Sequence, residues 1–263
     1  MKNKVCIVQL ADSGYYEQRK SCVRSVSSYC SKMKYEWRGL VGSLDKSTHV
    51  AFQKPLSLLR EIDSFEYIGW MDMDIAIANR SFDLYNYLKE KDQDVLICRD
   101  PAFFANKVAN SGVVFFKNSF LAKKILNQWW DMRVIGTDKP WRQQSGNGSA
   151  DQYLMNKILK EYNIPIQNAH DFNIFPKNYR KGDFAIHFMG HDPVDYDSFV
   201  NFADSNIKDQ HLLEEFWMVY SFQSLDRIGR IYEYELGDEK ATRFSPEQIL
   251  DCALKIKDID IPH

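Results

Sequence analysis

The sequence predicts an α/β fold, and three observations support this prediction. The chain opens with a short, β-branched apolar run over residues 4–10, which stops at a polar loop over residues 11–14. Such a run is typical of a buried strand that leads into a loop. Strand and helix patterns then alternate along the chain, and its 263 residues suffice for one large α/β domain or two small ones.

The predicted strands are short apolar runs bounded by polar residues. They cover residues 4–10, 35–41, 66–77, 94–98, 111–117 and 183–189. The third differs from the others, because its apolar part gives way to Asp72 and Asp74. Residues 163–179 follow neither period and are expected to be irregular. The glycine- and proline-bearing stretch 133–148 is expected to be a loop near the functional site.

The predicted helices carry apolar residues at spacings near 3.6. They cover residues 16–33, 52–65, 81–89, 120–132, 150–162, 210–234 and 245–257. Pro55 is compatible with the second helix only in the first turn. Asn118 and Ser119 provide a cap for the fourth helix, and Ser245 with Gln248 forms a capping box at the last one.

Composition and charge exclude several classes of protein. Hydrophobic residues make up 44% of the chain and charged residues 27%, which is typical of a folded protein rather than a disordered one. A formal charge of -2 without a basic run argues against nucleic-acid binding. Five cysteines without CxxC spacing predict reduced thiols in a cytoplasmic protein. Apolar runs far shorter than the roughly 20 residues of a bilayer span predict no transmembrane segment.

Asp72, Asp74 and His187 are the candidate metal ligands. Two residues apart on a predicted strand, the aspartates would share one face and repel each other unless a cation lay between them. Mn²⁺ or Mg²⁺ would satisfy both carboxylates and leave positions for phosphate oxygens. His187 follows an apolar run and could complete the metal shell as a neutral imidazole. A lone histidine on a strand is more often a core residue, so its assignment depends on the two aspartates.

Four motifs occur in an order that resembles a known family. They are WMDMDIAI at 70–77, NSGVVFF at 110–116, ADQY at 150–153 and GDFAIHFMG at 182–190. Together they resemble nucleotide-sugar glycosyltransferases of the GT-A fold, in the galactosyl-, mannosyl- and xylosyltransferase family of fungal α-galactosyltransferases, mannan polymerase subunits and plant xyloglucan xylosyltransferases. The resemblance covers about residues 1–200. It implies a Rossmann-like fold with a mixed central sheet flanked by helices.

The resemblance also implies a domain division and residue roles. A transferase domain would cover residues 1–205, and a helical extension, 206–263, would pack on the core or form a homodimer contact. Asp72 would contact the ribose as well as the metal, Gln152 would face the anomeric carbon beside Asp151, and Tyr15 would stack on uracil. The residues implied to bind the donor are Ala11, Asp12, Ser13, Tyr15, Lys54, Asp72, Asn110, Ser111, Gly112 and Gly190.

Within that set, residues 11–15 would form the loop that cradles the base, and residues 110–112 would form a loop beneath the donor sugar. The chain departs from the family after the HFMG segment, where the family has cysteine and this chain has His191 followed by Asp192. His191 is therefore a rival to His187 as a metal ligand.

The implied reaction transfers a sugar from a nucleoside diphosphate sugar, preferably a UDP-sugar, to a glycan hydroxyl with retention of configuration. Three alternatives stay open. An inverting enzyme would need a general base, for which Asp151 or Asp192 is available. A sugar-nucleotide-binding subunit would keep the fold without turnover. A phosphatase of the haloacid dehalogenase type also uses Asp-x-Asp, but on its first strand and with Thr or Val in place of Ala76.

Overall fold

The computed structural model of the protein describes residues 3–100, 108–133, 150–168, 172–174 and 182–188. A six-stranded sheet lies at the centre of this part of the chain. Its strands are β1 (Asn3–Ala11), β2 (Glu36–Val41), β3 (Phe65–Met71), β5 (Val95–Arg99), β6 (Ala109–Lys117) and β7 (Ile166–Gln167). A separate two-stranded sheet pairs β4 (Ile75–Ile77) with β8 (Ala185–His187).

The central sheet is mixed, as predicted. Its strand order is β2-β1-β3-β6-β5-β7. β1 runs parallel to β2 and β3, whereas β6 runs antiparallel to both β3 and β5. Because β6 runs against β3, the amino end of β6 lies beside the carboxyl end of β3, where Met71 faces Val113. This reversal brings two of the sequence motifs to one edge of the sheet.

Helices cover both faces of the sheet, which explains why its strands are apolar on both sides. The helices are α1 (Ser13–Gln18), α2 (Lys20–Met33), α3 (Lys54–Glu61), α4 (Leu84–Lys91), α5 (Phe120–Asp131) and α6 (Ala150–Glu161). Alternate residues of β1 enter different core clusters: Cys6 packs with apolar residues of α3, α5 and α6. Val5 packs with residues of α2 and α4.

Two predicted elements are divided in the structure. The predicted helix 16–33 is two helices, because the backbone leaves helical geometry at Arg19. The first helix, α1, also begins earlier than predicted, since Asp12 caps it by accepting a hydrogen bond from the Tyr15 N–H at 2.8 Å. The predicted strand 66–77 is β3 and β4, which belong to different sheets. A turn separates them, in which the Ile75 N–H donates to the Asp72 carbonyl at 3.1 Å.

Other boundaries agree closely with the sequence patterns. Pro55 lies in the first turn of α3, and Ser119 caps α5 by accepting from the Ala122 N–H at 3.1 Å. The predicted helix 52–65 is shorter than expected, since short 3₁₀ segments flank α3 and Phe65 already begins β3. Residues 163–179, expected to be irregular, contribute the two-residue strand β7.

Several predicted features lie outside the described residues. These are the helices 210–234 and 245–257 with their capping box, the whole extension 206–263, and nearly all of the loop 133–148. Cys6, Cys22, Cys30 and Cys98 are buried and form no disulfide within the described part of the chain. No described helix combines the length and apolar character needed to span a membrane.

Candidate metal and donor site

The two aspartates of the WMDMD motif lie in a turn, so the prediction that they share one face of a strand is wrong. β3 ends at Met71, and the next N–H, that of Asp72, donates to the Gly112 carbonyl of β6 at 2.7 Å. The chain then reverses into β4. The turn nevertheless directs both carboxylates to one place at the carboxyl end of β3.

His187, which lies in the last of the four motifs, is close to the two aspartates. β8 pairs antiparallel with β4, and His187 lies opposite Ile75. Its Nε2 is 3.2 Å from Oδ1 of Asp74 and 3.9 Å from Oδ2 of Asp72. One ligand atom from each of the three residues lies within 4.8 Å of the others. The structure thus brings together the three side chains predicted to bind a metal.

The chemistry of this cluster fits a divalent cation. Oδ1 of Asp74 is buried and has no hydrogen-bond partner within the described chain, although it faces the imidazole. A buried carboxylate oxygen without a partner is costly, and a metal ion would satisfy it. Two carboxylates with one imidazole suit Mn²⁺ better than Mg²⁺, whose protein ligands are nearly all oxygen atoms.

The pKa shifts of the three side chains are consistent with a site that binds a cation. Burial acts to raise the pKa of Asp74, but His187 and the hydroxyl of Tyr15 outweigh it and lower the pKa to about 2. Burial raises the pKa of Asp72, against the effect of Lys54. Burial acts to lower the pKa of His187, but the Asp74 carboxylate raises it above its usual value. The surroundings of His187 therefore favour positive charge at this position.

Lys54, the first residue of α3, forms ion pairs with two carboxylates, of which Asp151 is buried and Asp72 is 26% exposed at its side chain. Its Nζ lies 2.9 Å from Oδ1 of Asp72 and 2.7 Å from Oδ2 of Asp151. Burial disfavours the charged amine, yet the two carboxylates raise the pKa of Lys54 above its ordinary value. Oδ1 of Asp72 also accepts a hydrogen bond from Trp70 Nε1 at 2.7 Å. These contacts hold Oδ1 and leave Oδ2 directed towards His187.

The Asn110–Gly112 segment lies in strand β6, so the expectation that it is a loop is wrong. Its position beneath the donor sugar stays a prediction. The hydrogen bond from the Asp72 N–H to the Gly112 carbonyl extends the pairing of β3 with residues 113–117 into this segment. A Cβ on Gly112 would lie 2.2 Å from Cε1 of His187. The glycine therefore makes room for the imidazole, a structural reason that the motif alone did not provide.

Replacing Gly112 with alanine is expected to displace the imidazole and to weaken Mn²⁺ binding at least tenfold. The added methyl group overlaps the ring of His187, and overpacking of this kind costs about 1–3 kcal/mol. Isothermal titration with Mn²⁺ measures the affinity, and circular dichroism shows whether the fold is retained. A folded variant with wild-type Mn²⁺ affinity would rule out this placement of His187.

The first turn of α6 supplies the second group of predicted site residues. Oδ2 of Asp151 accepts a hydrogen bond from Oγ of Ser111 at 2.8 Å in addition to its ion pair with Lys54. Nε2 of Gln152 donates to Oδ2 of Asp100 at 2.8 Å. Asp151 is 3% exposed, so its carboxylate interacts with buried groups of the site rather than with solvent.

Ala11 ends β1, Asp12 caps α1 and residues 13–15 begin that helix, so the expectation that residues 11–15 form a loop is wrong. Their contact with the base stays a prediction. The Tyr15 hydroxyl donates to Oδ2 of Asp74 at 2.9 Å, and the guanidinium carbon of Arg19 lies 3.6 Å from the centre of the Tyr15 ring. Tyr15 therefore supports a predicted metal ligand, and one of its ring faces is covered. Stacking on uracil stays a prediction.

Three site residues were not predicted from the sequence. Gln9 interrupts the apolar run of β1, and its Nε2 donates to the Asp72 carbonyl at 3.2 Å. Asp100 follows β5 and is 3% exposed, and Asn173 is fully buried. Gln9 was detectable as a polar residue inside an apolar strand. Gly190, His191 and Asp192 lie outside the described residues.

Comparison with known proteins supports the fold. No model of a known protein family matches the chain, and no curated protein matches it by sequence. Among solved structures, a glycosyltransferase involved in the glycosylation of the major capsid of PBCV-1 has a TM-score of 0.57 at 18% identity, over 76% of this chain and 99% of that one. The apo-form glycosyltransferase GlyE of Streptococcus pneumoniae TIGR4 has a TM-score of 0.50 at 13% identity, over 83% of this chain and 64% of that one. The chain therefore has the Rossmann-like GT-A fold.

Proposed function

We propose that this protein is a metal-dependent glycosyltransferase that moves a sugar from a nucleoside diphosphate sugar, preferably a UDP-sugar, to a glycan hydroxyl. The observation that carries the proposal is the cluster of Asp72, Asp74 and His187 at the carboxyl end of β3. Ligands of α/β proteins bind at this edge of the sheet. Two structures with the same fold are described as glycosyltransferases, which supports the choice of reaction.

In the proposed reaction Asp72, Asp74 and His187 hold Mn²⁺ or Mg²⁺. When bound, the ion supplies a Lewis acid that stabilises negative charge on the departing diphosphate. Trp70 and Lys54 fix one oxygen of Asp72, and Tyr15 fixes one oxygen of Asp74. Each carboxylate is therefore held in place before the donor arrives, which limits the reorganisation that binding requires.

We further propose retention of configuration, in which the acceptor hydroxyl attacks on the face that the diphosphate leaves and a phosphate oxygen takes its proton. No general base is then required. The contacts of Asp151 favour this version over inversion, because Lys54 and Ser111 both bind Oδ2 of its carboxylate. Gln152, held by Asp100, is proposed to face the anomeric carbon.

Two other functions are less well supported. A haloacid dehalogenase-type phosphatase would place its first aspartate on the first strand, whereas Asp72 follows β3. Trp70 and Lys54 also occupy the oxygen Oδ1 of Asp72. A binding subunit without turnover could use the same three ligand atoms. Transfer is proposed instead because the two structures with this fold are described as glycosyltransferases.

The test is a screen of sugar nucleotides by thermal unfolding, with Mn²⁺ or with EDTA. A donor present at about 100 times its Kd stabilises the native state by about 2.7 kcal/mol, which raises Tm by about 5–10 °C. We expect a UDP-sugar to produce this shift only with Mn²⁺, and Mg²⁺ to be less effective. The same donor is then incubated with candidate acceptors, and released UDP and glycoside are measured.

The controls separate the three functions. Metal-dependent binding without release of UDP, across a broad set of acceptors and after long incubation, would identify a binding subunit. Release of phosphate from phosphomonoesters would identify a phosphatase. Donor binding that is equal in Mn²⁺ and in EDTA would contradict the proposed role of the metal cluster.

A further inference from the structure

Four polar side chains, three of them buried and Gln152 half-buried, connect the first turn of α6 to the Nδ1 side of the His187 imidazole. Asp100, Gln152, Asn110 and Asn173 follow one another through hydrogen bonds, and together they are called the amide relay here. Asp100, Asn110 and Asn173 are at most 3% exposed. In the metal cluster, His187 would use only Nε2. Metal binding by His187 therefore does not explain the hydrogen bonds on the Nδ1 side of its ring.

The direction of the relay is set at its far end. An ionised carboxylate accepts hydrogen bonds and donates none. Oδ2 of Asp100 faces Nε2 of Gln152 at 2.8 Å and Nδ2 of Asn110 at 3.3 Å. The second hydrogen on Nδ2 of Asn110 points to Oε1 of Gln152 at 3.1 Å. Both side-chain amides are therefore turned with their nitrogen atoms towards Asp100.

The main chain fixes the next step independently. Since Nδ2 of Asn110 faces Asp100, its Oδ1 faces the opposite way, where it accepts from the Gly112 N–H at 2.8 Å. A backbone N–H can only donate, so this contact admits one orientation of the Asn110 amide. The same Oδ1 accepts from Nδ2 of Asn173 at 3.0 Å. The amide of Asn173 is thereby oriented in turn.

The relay ends on the histidine. With its nitrogen directed at Asn110, Asn173 presents Oδ1 to Nδ1 of His187 at 3.1 Å. Nδ1 must then carry the hydrogen, which leaves the lone pair of the neutral imidazole on Nε2. That nitrogen faces Oδ1 of Asp74 at 3.2 Å. The lone pair thus points to the place where the metal ligands meet.

We propose that Asn173 is a positioning residue, which receives its orientation from Asp100 through Gln152 and Asn110 and holds His187 in the Nδ1–H tautomer that can bind a metal through Nε2. The inference rests on the proposed metal site but not on the identity of the reaction. Partners of this kind fix the ring of a ligating histidine, and their loss weakens metal binding about 10- to 100-fold.

The experiment reads the tautomer directly. Metal-free protein labelled with ¹⁵N-histidine is studied by NMR at a pH above the titration of the imidazole, and the two ring nitrogens of His187 are distinguished by their shifts. We expect Nδ1–H in the wild type. In Asn173→Leu we expect loss of this preference and about 10- to 100-fold weaker binding of Mn²⁺ by calorimetry. In Asn173→Asp, which keeps an acceptor for Nδ1, we expect the tautomer to be retained.

Asn118→Leu is the matched control. Asn118 donates to the carbonyls of Ile62 and Phe65 at the other end of β6, so its loss lowers stability without reaching His187. We expect the wild-type tautomer and Mn²⁺ affinity in this variant. A change equal to that of Asn173→Leu would show that general loosening, rather than the relay, controls the site.

The outcomes separate the relay from the proposed function. Nε2–H in the wild type, or wild-type tautomer and affinity in a folded Asn173→Leu variant, would overturn the relay. If that variant does not fold, the tautomer of the wild type decides. A wild type with Nδ1–H that binds Mn²⁺ but transfers no sugar would support the relay and refute the glycosyltransferase proposal.

Discussion

Asp74→Asn is expected to reduce sugar transfer about 10²- to 10³-fold, the usual loss when one electrostatic contact to a developing charge is removed. Asparagine has nearly the same shape and can keep the hydrogen bond from Tyr15, so the turn should survive. The change removes a negative charge from the metal cluster and one of its three ligand atoms. Steady-state transfer with a saturating donor measures the effect, and calorimetry measures the loss of Mn²⁺ affinity.

Asp92→Asn is a matched control for this variant. It makes the same chemical change at an exposed carboxylate. Asp92 follows the last residue of α4 and pairs with Lys117 of β6. Asp92 has a φ of 46°, and asparagine also tolerates this left-handed region. We expect wild-type transfer from this variant. Full activity in Asp74→Asn at the same Mn²⁺ concentration would refute the metal cluster as the centre of the reaction.

Lys54→Met is expected to destabilise the protein by about 3–5 kcal/mol, since it leaves the buried carboxylate of Asp151 and the half-buried carboxylate of Asp72 without a compensating charge. Nζ of Lys54 lies within 3 Å of both Asp72 and Asp151, and its side chain is 8% exposed. Methionine fills a similar volume, so lost packing contributes little. Denaturant unfolding at neutral pH measures the change in the free energy of unfolding.

The dependence on pH and a second substitution make this prediction specific. Without the amine, both carboxyl groups should have a folded-state pKa above the unfolded value, so the folded state favours their neutral form. The difference in the free energy of unfolding between wild type and variant is therefore largest above that raised pKa, and it becomes smaller as the pH falls. Adding Asp151→Asn removes one uncompensated charge and should recover part of the loss. A deficit that does not depend on pH would point to packing instead.

Residue patterns were sufficient for much of the sheet and for the three ligand residues. Apolar runs located β1, β2, β5 and β6 to within about two residues, the usual uncertainty of element boundaries. Asp72, Asp74 and His187 stood out because charged or polar groups rarely end an apolar run without a partner. Pro55 and Ser119 were predictable because their effects on a helix are local.

Features that depend on distant partners could not be predicted. Asp72 and Asp74 interrupt the run 66–77, but the pattern does not show that the chain turns there, because β3 and β4 are both buried and differ only in the sheet that each one joins. Asn173 lies in a stretch without periodicity, and its role comes from His187 and Asn110 on other strands. The requirement for glycine at position 112 likewise arises from a ring contributed by β8.

The pairing of β4 with β8 has a consequence for how the protein matures. One side of this short ladder follows directly from the aspartate turn, and the other ends in the histidine. An emerging chain can complete its large sheet up to β6 while the imidazole has yet to be synthesised. Binding of the cation must then wait until β8 pairs with β4, and the bound ion would hold this late-synthesised strand in place. Amide exchange in residues 182–188 should therefore slow more on adding Mn²⁺ than exchange in β1.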